Sequence, residues 1–132
     1  MSKSAIYTAN TTTNAVAVGN PIPLGSTIRR YGCHLRQDGN SINAVGAGYY
    51  LVSVSATVAP TAAGAVTITG QKDGVAIAGA TGTTTAAAAN AVENIAFTTI
   101  VRNIGCNNSI LSFMLSGTAS AVSNFAVSVV KL

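Results

Sequence analysis

Residues 48–58 read Gly-Tyr-Tyr-Leu-Val-Ser-Val-Ser-Ala-Thr-Val. Tyr50, Val52, Val54, Ala56 and Val58 fall on one side of an extended chain. Tyr49, Leu51, Ser53, Ser55 and Thr57 fall on the other. Side chains alternate every two residues in a strand and every 3.6 in a helix. A period of two held over this length makes the segment a strand.

The same spacing recurs along the chain. AVTITGQ sets Val66 and Ile68 on one face, and Lys72-Asp73-Gly74 closes a hairpin into the short apolar run VAIAGA. AVENIAFTTIVR aligns Ile95, Phe97, Thr99 and Val101. SILSFML aligns Leu111, Phe113 and Leu115, and NFAVSVVKL aligns Phe125, Val127 and Val129. Earlier, AIYTA and NAVAVG are shorter candidates, and STIRRYGCHL reads as one strand of imperfect alternation. Asp38-Gly39 is a hairpin signal. Pro21 and Pro23 interrupt any ladder and mark a loop or edge.

The low-complexity TGTTTAAAAN holds four alanines, too few for a helix to stand alone, so it reads as loop or edge strand. SGTASAVS reads as loop. The sum is eight to ten short strands at regular spacing, an all-β sandwich or barrel. One domain spans 1–132, with residues 1–18 as an N-terminal strand or attachment arm.

Composition adds a second constraint. Charged residues are 8% of the chain, against roughly 25% in an average soluble domain. So few charges make a poor colloid unless hydroxyls and amides coat the surface or an oligomer buries part of it. Several strands are apolar on both faces: Tyr49 and Leu51 oppose Tyr50 and Val52, while Val130 and Leu132 oppose Val127 and Val129. A sandwich core covers one face. Another copy of the chain is the simplest cover for the second.

The net charge of +4 reflects scarce acids, only Asp38, Asp73 and Glu93. Arg29, Arg30 and Arg36 form the tightest basic group. They serve as solvated edge or subunit contacts, or as a phosphate or polyanion patch. No aromatic interleaving accompanies them, which counts against nucleic acid.

Catalysis finds little to work with. His34 is the single histidine. Its neighbour Cys33 should point to the opposite face of a strand, so the pair would not meet. Asp38 and Asp73 sit in Asp-Gly turns with local roles, and Glu93 is a lone acid on a solvated face or paired with an arginine. There is no phosphate-binding glycine loop. No cofactor and no metal are expected, and the chain reads as a non-enzyme. Cys33 and Cys106 lack CxxC spacing. They read as small buried hydrophobes or, alternatively, as a disulfide. MSKSAIYTAN has no apolar core of a secretory signal, and no run approaches a membrane helix. Synthesis in a bacterial cytoplasm and display by assembly or lysis are expected.

AGYYLVSVSATV, a turn, VTITGQKDGVAIAGA and the closing NFAVSVVKL together resemble the jelly-roll family of the complement globular head and tumour necrosis factor. There a strand opening with Gly-Tyr-Tyr/Phe precedes a strand ending in an Asn/Asp-Gly hairpin. The likeness spans about residues 19–132. The Ala/Thr/Asn-rich style is similar to small phage and prophage virion surface members. Animal members often bind calcium, but the acids here are too few for a cage of six or more oxygens. The resemblance implies an antiparallel jelly-roll homotrimer.

Tyr49, Tyr50, Leu51, Phe97, Phe113, Phe125, Val127 and Val129 are then core or trimer-interface residues. Arg29, Arg30 and Arg36 are candidate partner or ligand contacts. The functional expectation is a structural virion-surface subunit, as capsid decoration or head fibre, with itself and other virion proteins as partners. The alternative is a glycan- or host-binding adhesin head on a bacterial cell or spore surface. Its ligand loops would be residues 79–90 and 117–123.

Overall fold

The computed structural model describes residues 3–104 and 108–132. Eleven strands form among them: β1 Ala5–Asn10, β2 Asn14–Val16, β3 Ser26–Tyr31, β4 Leu35–Asp38, β5 Ser41–Val45, β6 Gly48–Pro60, β7 Gly64–Lys72, β8 Val75–Ala86, β9 Glu93–Asn103, β10 Asn108–Gly117 and β11 Ser120–Lys131. They build an antiparallel β-sandwich. The first sheet runs β3-β1-β11-β6-β9, with β2 also on β11. The second runs β4-β5-β10-β7-β8. Apart from the β4–β5 and β7–β8 hairpins, the paired strands are non-consecutive in the chain, as in a jelly roll.

The alternations fold as their spacing dictates. Tyr50, Val52, Val54, Ala56 and Val58 are buried on the inner face of β6. Ile95 and Val101, Leu111, Phe113 and Leu115, and Phe125, Val127 and Val129 join them. The aromatic rings bridge the sheets. Phe113 of β10 meets Phe125 of β11 edge-on at 5.7 Å between centroids, and Phe97 of β9 at 6.4 Å. Such pairs add about 0.5–1.5 kcal/mol beyond the area they bury.

Two segments differ from the sequence reading, and a third settles an alternative left open by it. STIRRYGCHL is two strands, because the chain turns at Gly32, where φ is +81°. A Cβ there would lie 2.3 Å from the Lys3 carbonyl oxygen and the Ser4 Oγ, so only glycine permits the turn. Of the two readings of TGTTTAAAAN, edge strand is the one that forms up to Ala86, so residues 79–90 are mostly not the ligand loop expected of the adhesin alternative. β8 runs unbroken to Ala86 as the edge of the second sheet. Residues 117–123 are largely strand too, with only Thr118 and Ala119 between β10 and β11.

β8 is long because small residues let it close over β9. A Cβ on Gly82 would stand 2.5 Å from Ile95 Cγ2 and 3.3 Å from Phe97 Cδ2. Overpacking of this kind costs about 1–3 kcal/mol. Gly82→Ala is therefore expected to lower unfolding free energy by that amount in urea titration, and an unchanged midpoint would contradict this packing. Phe113→Ala, which empties the ring cluster, should cost about 3–5 kcal/mol.

Candidate functional site

Two surfaces stand out, one on each sheet. The outward face of the first sheet is ordered in cross-strand rows. One row reads Tyr31–Ala5–Val130–Leu51–Ile100 across five strands. The next reads Arg29–Tyr7–Ser128–Ser53–Thr98, and a third holds Ala9–Ala126–Ser55–Ala96. Beyond the first row, Leu132 donates its backbone N–H to the Tyr49 carbonyl. The Arg102 guanidinium lies over the Tyr49 ring at 5.6 Å. The face thus carries an apolar band at one end and a floor of small side chains behind it. Tyr31 is 65% exposed, Ile100 55%, Tyr49 50% and Val130 41%. Arg29 and Arg102 bring the charge to these rows, and no acid stands in them.

The eight residues expected as core or interface divide by strand parity. Tyr50, Phe113, Phe125, Val127 and Val129 are buried, and Phe97 is half-buried against the core. Tyr49 and Leu51 face outward in the rows above. Tyr50 closes the same end from inside. Its hydroxyl lies 3.0 Å from both the Val45 and the Gly46 carbonyl oxygens and donates to them. Burial pushes the Tyr50 phenol above its ordinary value, because the phenolate would lose its water.

The three arginines separate. A register shift between Tyr7 and Thr8 interrupts the β1–β3 ladder. Arg29 pairs with Tyr7 on the outward face, while Arg30 sits opposite the buried Ile6. Arg30 reaches across the Gly32 turn, donating from Nε to the Leu35 carbonyl at 2.6 Å. It joins Arg36 in a cleft of about 340 Å³ at the β4–β5–β10 end of the second sheet. Asn43 and Asn108 add amides to this cleft, and Val45 and Ile110 add half-exposed aliphatic surface.

Cys33 also lines it and is exposed, correcting its reading as a buried hydrophobe. Cys33 falls on the turn, and no strand face holds it inward. Cys106, and with it the disulfide alternative, lies outside the described residues.

His34 is a bracket for this turn. Its Nδ1 lies 2.7 Å from the Val45 carbonyl and must carry the proton, since a carbonyl only accepts. Its backbone N–H donates to Ser4 Oγ, and its own carbonyl accepts from the Val45 N–H. Among the described residues the buried Nε2 has no partner, so neither ring nitrogen engages Cys33. Asp73 has more than a local role. Its Oδ1 accepts the Ile110 N–H at 2.9 Å, tying the β7–β8 turn to β10. Among the described residues no group of three or more His, Cys, Asp or Glu could hold a metal, and no helix is long and apolar enough to cross a membrane.

No family model and no curated protein matches the chain. Solved structures do. A crystal structure of murine APRIL at pH 5.0 superposes with a TM-score of 0.78 at 12% identity, covering 98% of this chain and 99% of that one. The globular domain of zebrafish complement 1qA gives 0.65 at 8% identity, covering 97% and 95%. The fold is the tumour necrosis factor and complement-head jelly roll. PRD1 vertex protein P5 shares it with a TM-score of 0.57 at 12% identity, covering 99% and 96%.

The Tyr50 shift carries a sign. A raised phenol keeps its proton in the folded state after the unfolded chain has lost it. Stability is then flat below about pH 10 and falls as pH rises through the folded value. Tyr50→Phe should cost about 1 kcal/mol at neutral pH and flatten the alkaline decline. Parallel decline of both proteins in thermal melts between pH 9 and 12 would contradict the assignment.

Proposed function

We propose that the chain is a non-enzymatic structural protein, a homotrimeric subunit on a phage virion surface, serving as capsid decoration or head-fibre component. The outward face of the first sheet carries this reading. An apolar band and a floor of Ser, Ala and Thr invite the close approach of another sheet, and the absence of acids there leaves no carboxylate to desolvate. A ring of three closes such head-to-tail contacts, so every pairwise gain occurs three times.

The likeness to a phage vertex protein supports the virion setting. The scarcity of charge supports an assembled rather than a solitary chain. Other virion proteins would be the further partners, and assembly in the host cytoplasm would place the subunit on the particle. The adhesin alternative, whose expected loops 79–90 and 117–123 fold largely as strand, is left with the Arg30–Arg36 cleft, where β3 of the first sheet meets the β4–β5–β10 end of the second.

Leu51→Glu and Ser53→Lys, each placing a charge in the outward rows, should shift the protein to the mass of one chain in sedimentation velocity. Thr83→Lys should not, because Thr83 faces out from the second sheet, bonded to Thr67 at 3.0 Å. Equal behaviour of all three would remove this face from the interface. Mass spectrometry of purified virions from the source phage should find the chain in the particle; its absence would contradict the virion role.

A further inference from the structure

We infer that the cleft between the β4–β5 hairpin and the start of β10 binds an acidic saccharide, a sugar carrying a carboxylate beside its hydroxyls. The inference concerns a single chain and does not depend on the trimer.

Three kinds of surface meet in this cleft. Arg30 and Arg36 supply two guanidiniums, and none of the lining residues is acidic. Arg30 is held by its Nε bond to the Leu35 carbonyl, which leaves its terminal nitrogens to donate elsewhere. Arg36 is exposed. A pair of guanidiniums with no carboxylate between them is suited to an oxyanion, which they bind through charge-assisted hydrogen bonds.

The remaining lining argues for more than an isolated anion. Asn43 and Asn108 offer amides that both donate and accept. Val45 and Ile110 are 41% and 49% exposed and present aliphatic surface of the kind the C–H face of a sugar ring covers. The volume of about 340 Å³ sits at the small end of ligand sites, about 300–1,000 Å³, and suits one or two rings. A nucleic acid would want aromatic platforms for its bases, and among the described residues no aromatic side chain lines the cleft.

The test is a titration of the isotope-labelled protein with sodium glucuronate, glucose and inorganic phosphate at constant ionic strength, followed by amide NMR shifts. Glucuronate should move the Asn43, Val45 and Ile110 amides and bind about tenfold or more tightly than glucose or phosphate. Arg36→Gln and Arg36→Glu should weaken glucuronate by about tenfold or more with the rest of the spectrum unchanged, whereas Arg29→Gln should bind as the parent does. No shift at the cleft with glucuronate would overturn the proposal. So would glucose binding as tightly, which removes the role of charge, or phosphate binding as tightly, which removes the sugar.

Discussion

The pairing of β6 with β11 at the centre of the first sheet sets the rest of the structure. Val52 opposes Val129 and Val54 opposes Val127 on the inner face. Between them Leu51 opposes Val130 and Ser53 opposes Ser128 on the outer face. A slip of one residue would exchange the two faces, placing serines in the core and valines in water. The register that buries the valines therefore also presents the outward rows. The Phe113–Phe125 contact then ties this sheet to the second across the core.

The two faces of that sheet answer different demands. The inner one gains stability within a chain from apolar burial. The outer one is apolar only at the end where Tyr31, Val130, Leu51 and Ile100 align, and small elsewhere. The cleft is built differently, from turns. Gly32 lets the chain reverse, His34 and Tyr50 meet on the Val45 carbonyl, and Arg30 crosses to Leu35. The candidate ligand surface is thus held by hydrogen bonds to backbone carbonyls, whereas the candidate subunit surface is held by strand register.

Where alternation was strict, the strands and their buried faces were legible. The inward set from Tyr50 to Val58, and the Phe113 and Phe125 sets, follow from period two alone. Legibility failed where local signals compete with contacts distant in sequence. Gly32 within STIRRYGCHL passes as a strand glycine until Ser4 is known to pack against it. The alanine- and threonine-rich run after Gly79 has no apolar period, because its inward positions are small to fit against Ile95 and Phe97. Alternation does separate Arg29 from Arg30, which are consecutive in a strand. It could not bring Arg30 to Arg36, because their meeting depends on the turn between β3 and β4.

The most direct test of the subunit reading is the solution mass of the unmodified protein, by light scattering after gel filtration in reductant. Three times the 13.1 kDa chain is the expected result. It would mean that three copies associate without a disulfide, as burial of the outward rows requires. A clean mass of one chain over the micromolar range would contradict it, and the apolar band from Tyr31 to Ile100 would then await a different partner.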